Sequence, residues 1–159
     1  MKLEDIAKRL QNIPEYVIEI GVMSGNKKRV KVQAGINLTN AEIMFINENG
    51  SPLRKIPARP VLQMTIDWAN ANLLQDSLNK AIDRYVQFNF DDKQIDIELT
   101  KMCIKMENYA RELIYSNDGR LVPNAPLTVK RKGFNHPLFQ TGQLAKSITC
   151  RLRRVKGGT

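Results

Sequence analysis

The chain has 159 residues, of which 42% are hydrophobic and 26% are charged. This length suits a single domain, which would bury roughly 70% of the surface that its unfolded chain exposes. The composition excludes a collagen-like or wholly disordered chain. No apolar run reaches the length of about 18 residues that indicates a membrane span, and the first residues lack the apolar core of a signal peptide. We therefore expect a chain made in the cytoplasm, with no membrane as its partner.

The net charge of +9 is unevenly distributed along the chain. Residues 1–118 contain 16 basic and 16 acidic side chains, whereas residues 119–159 contain nine Lys or Arg and no Asp or Glu. We call residues 119–159 the acid-free segment. A segment with charge of one sign repels itself, so it must face an acidic partner, nucleic acid or solvent.

The N-terminal region is predicted to hold a short helix and a β-hairpin. Apolar residues at helical spacing predict a helix over residues 3–10, which ends before Pro14. Residues 16–22 and 30–34 alternate apolar and polar side chains on either side of the turn-forming sequence Ser24-Gly25-Asn26. This alternation predicts two antiparallel strands joined by a turn.

A second short helix and a loop are predicted next. Thr39 and Glu42 have the spacing of a capping box, which marks the start of a helix. Gly50, after Asn49, is a suitable residue to end that helix. Residues 50–60 contain three prolines, so neither a helix nor a central strand can continue through them. The sequence therefore predicts a shaped loop over 50–60.

Two long amphipathic helices are predicted to follow. Pro60 is suited to the start of the first helix, whose apolar stripe includes Leu78 and Ile82. Asp91 can cap the second, whose apolar stripe continues to Leu113. We expect the two helices to pack against each other in antiparallel orientation.

The C-terminal region is predicted to be a loop, a short helix and a strand. Residues 119–140 carry several Pro and Gly and little periodicity, which predicts a loop. Thr141 can cap a short helix, and the alternating residues 148–155 predict a strand. Residues 156–159 should fray. The whole chain is thus predicted to be one α+β domain, in which a small antiparallel β-sheet packs with two long helices and short N- and C-terminal helices.

Enzymatic chemistry has little support in the sequence. No GxSxG, Walker A or GxGxxG pattern occurs, and the single histidine, His136, has no metal-ligand partners near it in sequence. Cys103 and Cys150 form no CxxC pair, so we expect two reduced, partly buried thiols. The acidic residues at 91–92 and 96–98 are explained by helix capping and a solvated face. We therefore expect no enzyme, no cofactor and no metal.

Binding to nucleic acid is an alternative that the acid-free segment raises. Its candidate contact residues are Lys130, Arg131, Lys132, Arg151, Arg153 and Arg154. Arg151 and Arg153 would share one face of the last strand, with Leu152 on the other. Aromatic residues that could stack on bases are limited to Phe134 and Phe139, and no known nucleic-acid-binding motif accompanies them. Two hypotheses stay open here, namely a small basic DNA-binding module and a basic surface that faces solvent or protein.

Two segments of the chain resemble a known family. Residues 40–60 read NAEIMFINENGSPLRKIPARP, and residues 125–148 read APLTVKRKGFNHPLFQTGQLAKSI. The first is similar to the INE-G…IPARP signature of bacteriophage virion-morphogenesis proteins of the tail-completion, or head-tail joining, type. The second is similar to the closing pattern PL…T…KG…PL…TG-L…SI of the same proteins. Both stand in the family's order and separation, although Asn49 and Val61 replace residues that are often aromatic there.

The resemblance implies a structural protein of the phage neck, located in the virion at the interface between head and tail. It implies a homo-oligomer, a sixfold ring between the head connector and the tail tube. The partners it implies are a head-closure or connector protein and a tail-tube or tail-terminator protein, with genome DNA passing through the ring. It also implies a small antiparallel sheet packed with long helices, in agreement with the elements predicted above.

In the first motif, the residues that we expect to contact a partner are Glu48, Arg54 and Arg59. Pro57 and Pro60 stiffen the loop, which suits it to presenting Arg59 to a neighbour. We expect Arg59 to be exposed, so that Arg59→Glu should damage assembly more than folding. The alternative is that the loop only positions the long helix.

In the second motif, we expect a mixture of packing and contact roles. Gly142 should allow a tight entry into the last helix, Leu144 and Ile148 should lie in the core, and Ser147 should face solvent or cap the helix. A strongly positive channel would retain DNA by its phosphates. We therefore expect most of the six basic residues named above to face protein partners or the outer surface.

Overall fold

The computed structural model describes residues 3–23 and 38–155. Within these residues, seven helices and one two-stranded antiparallel sheet form an α+β fold. In chain order, the elements are α1 (Leu3–Gln11), β1 (Glu15–Gly21), α2 (Asn40–Asn49), α3 (Val61–Asn72), α4 (Leu74–Gln87), α5 (Asp92–Tyr115), α6 (Pro126–Lys132), α7 (Gln143–Ser147) and β2 (Thr149–Val155). A short 3-10 turn, Pro52–Arg54, lies between α2 and α3.

Helix α5 is the central element of the core. Its buried residues are Ile95, Glu98, Leu99, Met102, Cys103, Met106, Ala110, Leu113 and Ile114. Its first turns pack against α4, its middle against α3 and the sheet, and its last turns against α2, α3 and α7. Tyr85 of α4 contacts the cluster at Ile95, whereas Ala69 of α3 lies at Met106. The antiparallel packing that the sequence predicts is therefore correct.

The first long helix is interrupted at Leu73. Helical hydrogen bonding continues across this residue, from the Leu73 amide to the Ala69 carbonyl at 2.8 Å, but the backbone of Leu73 has φ −118° and ψ −36°. Just before it, the side-chain amide of Asn72 donates to the carbonyl of Trp68 at 2.8 Å. Such a side-chain bond competes with the backbone bonds of a helix. The expectation of one continuous helix is thus wrong at this point.

The buried face of α4 also differs from the predicted stripe. Its buried residues are Ser77, Ala81 and Tyr85. Leu78 is 39% exposed and Ile82 is 44% exposed, although both belong to the stripe that the sequence assigns to the core. The apolar stripe is wider than the surface that α5 covers, so part of it faces solvent.

The sheet brings the two ends of the described chain together. Strands β1 and β2 pair antiparallel, with Ile18 opposite Leu152 and Glu19 opposite Arg151. Ile18 and Leu152 face the helices, whereas Glu19 and Arg151 lie on the outer face. Both strands occur where the alternation predicts them. The predicted partner strand of the hairpin, 30–34, and the predicted frayed end, 156–159, lie outside the described residues.

The long connection between α5 and β2 is more ordered than the sequence indicates. The predicted loop 119–140 contains helix α6, with Pro126 in its first turn and Gly133 as its left-handed C-cap at φ 80°. Thr141 does not cap α7, because Gly142 occupies the cap position at φ 73° without a side-chain bond. A Cβ atom on Gly142 would lie 3.3 Å from the Tyr115 hydroxyl. The tight entry predicted at Gly142 is therefore present.

Candidate functional site

A buried arginine of the first motif segment bonds the chain just before the second segment. Arg59 is only 6% exposed, and its guanidinium donates from Nε to the Val122 carbonyl at 2.6 Å and from Nη2 to the Pro123 carbonyl at 2.8 Å. Nη1 donates to Oδ1 of Asn47 at 3.3 Å. Val122 and Pro123 lie three and two residues before the second motif segment, which begins at Ala125. Arg59 therefore joins the loop after α2 to the connection after α5.

The expectation that Arg59 is exposed is therefore wrong. The planar guanidinium carries several donors in a fixed geometry, so it can satisfy carbonyl groups of two chain segments at once. Burial lowers the pKa of Arg59, and the hydrogen bonds to oxygen offset part of the cost of removing the charge from water. Arg59 is therefore an internal structural residue and not a contact for a partner.

The loop that carries Arg59 is closed on itself. Ser51 and Ile56 form an isolated antiparallel bridge, and the Arg59 amide donates to the Asn47 carbonyl at 2.6 Å. Gly50 has φ 74°, and a Cβ atom there would lie 2.9 Å from the Ala58 amide nitrogen. Only glycine combines this backbone conformation with so close an approach of the returning chain. The loop is thus a compact turn that returns Arg59 to the end of α2.

Glu48 is also used within the chain. Its two carboxylate oxygens accept from the amides of Leu62 and Gln63, at 3.0 Å and 2.8 Å. The N-cap residue of α3 is Pro60, which supplies no side-chain bond. Glu48 therefore caps the N-terminus of α3 in place of a residue at the N-cap position, and its negative charge lies at the positive end of the helix dipole. The third candidate of this motif, Arg54, is exposed on the 3-10 turn beside Leu53, which is 99% exposed.

The three basic residues of α6 fall into two groups. Lys132 is half-buried and donates to the carbonyls of His136 and Phe139. Burial lowers its pKa, with a further contribution from the charges of Arg59 and Arg131. Lys130 and Arg131 are exposed instead. Of the three, only Lys130 and Arg131 are thus presented to a partner.

The arginines of β2 are neutralised by carboxylates of the same chain. Arg151 and Arg153 share Glu19 on β1, at 3.0 Å and 3.1 Å, and these hydrogen bonds lower the pKa of Glu19. Arg154 binds Asp96 of α5 at 2.7 Å, with Asp92 at 3.4 Å.

The Arg154 guanidinium also lies 5.7 Å from the ring centre of Tyr16. Burial, with the neighbouring Asp96, raises the pKa of Tyr16 to about 12. The basic strand predicted from the sequence is exposed, but its charge is largely balanced, because Glu19, Asp92 and Asp96 lie beside its three arginines.

The remaining reactive groups are engaged in structural contacts. Nε2 of His136 lies 2.6 Å from the Ile114 carbonyl. Cys103 and Cys150 are free thiols, as predicted, and their mutual hydrogen bond, together with burial, raises the pKa of the Cys150 thiol. Asp91 caps α5, whereas Glu98, which we expected on a solvated face, is buried and binds Lys101 at 2.7 Å. Among the described residues, no group of three His, Cys, Asp or Glu side chains is placed to hold a metal ion.

Ser147 lies in the core instead of facing solvent. Its hydroxyl donates to the Leu144 carbonyl at 2.6 Å. Leu144 and Ile148 are fully buried with Met44 of α2 and Val61 of α3, as predicted for a core pair. The two motif segments therefore share one hydrophobic cluster in addition to the Arg59 contact.

Comparison of the chain with protein-family models, with curated proteins and with solved structures gives no match. Across residues 3–23 and 38–155, no helix has both the length and the apolar character that spanning a bilayer requires.

Proposed function

We propose that this chain is a structural neck protein of a tailed bacteriophage, of the tail-completion or head-tail joining type. In this role it forms a ring between the head connector and the tail tube and acts through protein contacts. The observation that carries the proposal is the union of the two motif segments. Met44 of the first packs with Leu144 and Ile148 of the second, and Arg59 bonds the connection that leads into the second.

This union gives a physical reason for the two patterns to occur together. The Glu, Gly and Arg of the first motif have internal roles, since Glu48 caps α3, Gly50 permits the turn and Arg59 joins the two segments. A joining protein holds head and tail together mechanically and catalyses no reaction. A compact unit with many internal bonds suits that task. The exposed side chains around it, such as Arg54 and Leu127, are then free for contacts between proteins.

The DNA-binding alternative has less support. A basic strand binds phosphates when its cations are unpaired, but Arg151 and Arg153 bind Glu19, and Arg154 binds Asp96. A phosphate would have to compete with these carboxylates for the same guanidinium groups. Of the six candidate basic residues, those that form no ion pair within the described residues are Lys130, Arg131 and Lys132 of α6.

The test is deletion of the coding sequence from the phage or prophage that carries it, followed by electron microscopy of the lysate. We expect DNA-filled heads and separate tails that do not join. Supplying the wild-type chain from a plasmid should restore joined particles, which serves as the control. Normal particles without the chain, or failure before the heads fill, would contradict the proposal.

Binding to duplex DNA provides the complementary measurement. For the neck protein, we expect weak binding that is lost at moderate salt. A DNA-binding module would instead bind duplex DNA tightly at physiological salt, and its affinity would fall steeply as the salt concentration is raised further.

A further inference from the structure

The only two cysteines of the chain lie side by side in the fold, although they are 47 residues apart in the sequence. Cys103 belongs to α5, and Cys150 is the second residue of β2. Both are free thiols, and their side chains are hydrogen-bonded to each other. Cys103 is buried, whereas Cys150 is half-buried. Two thiols in direct contact are arranged as a disulfide requires.

Contacts to the backbone hold the start of β2 against the same face of α5. Glu107, one turn after Cys103, accepts from the Cys150 amide at 3.0 Å. One turn further along the helix, Arg111 donates to the Ile148 carbonyl at 3.0 Å. Glu107 and Arg111 also bind each other at 2.6 Å. Because residues four apart share one face of a helix, these bonds place β2 beside Cys103.

Packing around the two thiols restricts their movement. Cys150 packs against the buried cluster that contains Met102 and Met106 of α5. Cys103, which follows Met102, is only 3% exposed. Side chains in a packed core keep to few rotamers, so the two sulfur atoms stay close to each other in the folded chain. Less conformational freedom is then lost when they become bonded than in the unfolded chain.

We propose that Cys103 and Cys150 form a reversible disulfide that fastens β2 to α5 in the folded chain. The oxidant is a small-molecule disulfide such as oxidised glutathione. One cysteine sulfur attacks the oxidant and displaces half of it as a thiolate. The second cysteine sulfur attacks the mixed disulfide and displaces the other half. The two cysteine protons pass to the two thiolates that leave, and two electrons pass from the protein to the oxidant.

The bond closes a loop that contains the second motif segment, together with α6 and α7. A cross-link across a long loop lowers the entropy of the unfolded chain and so stabilises the folded one. Cytosolic reductants keep thiols reduced, whereas disulfides persist in oxidising surroundings. The stability of the fold therefore depends on the redox state of its surroundings. This inference goes beyond the proposed function and does not depend on it.

The test is oxidation of the purified chain in a glutathione redox buffer. We expect the intact mass to fall by two hydrogen atoms and a peptide map to show a fragment that links Cys103 to Cys150. The melting temperature should rise by about 5–10 °C, and dithiothreitol should reverse the rise. In urea, where the chain is unfolded, the equilibrium should favour the disulfide at least about thirtyfold less, because the thiols are no longer held together.

Single substitutions provide the matched controls. Cys103→Ser and Cys150→Ser each leave one thiol, so neither variant can form the bond within one chain. The oxidising buffer should not raise the melting temperature of either variant. Circular dichroism establishes that each variant is folded, and Cys103→Ala replaces Cys103→Ser should the buried hydroxyl prevent folding. The reduced wild type is a further reference that needs no substitution.

Several results would overturn the proposed disulfide. These are glutathione adducts without a link between the cysteines, a link that forms only in urea, or a link between two copies instead of within one. An oxidised chain that melts at or below the temperature of the reduced chain would also overturn it, because the bond would then not fasten β2 to α5. None of these results decides the neck role, which the deletion experiment tests separately.

Discussion

Arg59 and the arginines of β2 are all candidate partner contacts when only the sequence is considered, but they have different environments in the structure. Arg59 is buried and its partners are neutral oxygens of Asn47, Val122 and Pro123. Arg151 and Arg154, by contrast, lie on the surface and bind carboxylates. The number of ion pairs that an arginine forms is therefore a poor guide to how much that arginine contributes to stability. A buried donor removed from water must be satisfied within the fold, whereas an exposed pair exchanges readily with solvent.

The largest effect expected from this comparison is that of Arg59→Ala. The substitution leaves two backbone carbonyls and one amide oxygen without their donor and opens a space between the two loops. We expect the free energy of unfolding to fall by about 3 kcal/mol. Urea unfolding monitored by circular dichroism measures this change.

Two further variants serve as controls for Arg59→Ala. Arg54→Ala removes an exposed arginine from the same loop and should change stability by less than about 0.5 kcal/mol. Arg59→Lys keeps the charge but not the planar fork, so its stability should fall between those of the wild type and Arg59→Ala. Equal stability of the Arg54→Ala and Arg59→Ala proteins would mean that the buried contact does not hold the loops together.

Gly50→Ala tests whether the loop must close tightly to place Arg59. The new Cβ atom would approach the Ala58 amide nitrogen to 2.9 Å and the Ile56 carbonyl oxygen to 3.0 Å, at a backbone φ of 74°. We expect a loss of about 2 kcal/mol from strain and crowding together.

Gly133→Ala is the matched control for Gly50→Ala. It has a similar φ of 80° but nothing within 4 Å of the new Cβ, so it should cost about 1 kcal/mol, from backbone strain alone. Thermal unfolding of both proteins separates crowding from strain. If both substitutions cost the same, the close return of the loop at Gly50 is not a constraint.

The parts of this structure that the sequence predicts are local ones. The capping box of Thr39 and Glu42 is present in both directions, and the stripe from Ile95 to Leu113 is buried as its spacing indicates, apart from Tyr109, which is half-buried. These features depend on residues three or four positions apart, so periodicity and capping rules suffice to find them. The two strands also occur where alternation predicts them, although their pairing with each other does not follow from that pattern.

The parts that the sequence does not predict depend on distant contacts. Arg59 meets a carbonyl 63 residues away, and nothing in the loop sequence identifies that acceptor. Glu48 looks like a surface acid until α3 is placed beside it. Helix α6 is too short for a periodic pattern, although Pro126 and Gly133 stand at the positions where such residues begin and end helices. Charge alone is enough to choose candidate contact residues, but the sequence does not show which of these residues are buried.

Arg154→Ala should have a smaller effect than the substitutions at Arg59 and Gly50. Its side chain is 40% exposed and binds carboxylates that are also partly exposed. We expect a loss of about 0.5 kcal/mol, which should shrink further at high salt because the pair is screened. Urea unfolding at low and at high salt measures both quantities. A loss as large as that of Arg59→Ala would remove the distinction between the buried and the exposed arginines.

The smallest effect concerns the dependence of stability on pH at the outer face of the sheet. Hydrogen bonds from Arg151 and Arg153 lower the pKa of Glu19 below its ordinary value of 4.5. A carboxyl whose pKa is lower in the folded chain stabilises the fold above its unfolded pKa and loses that contribution as pH falls through the folded pKa. Glu19→Gln should therefore be less stable than the wild type at neutral pH, and the difference should disappear as acid protonates Glu19.

Melting temperatures measured between pH 7 and pH 2 test this convergence. The Asp118 carboxyl, whose pKa Arg120 lowers to about 2, titrates in both proteins and cancels in the difference. We expect the difference between wild type and Glu19→Gln to be constant down to about pH 5 and then to close. Two melting curves that stay parallel down to pH 2 would show that the two arginines do not stabilise the charged form of Glu19. In that case Arg151 and Arg153 would be as unbalanced as the cations of α6, and they would become candidates for binding an acidic partner.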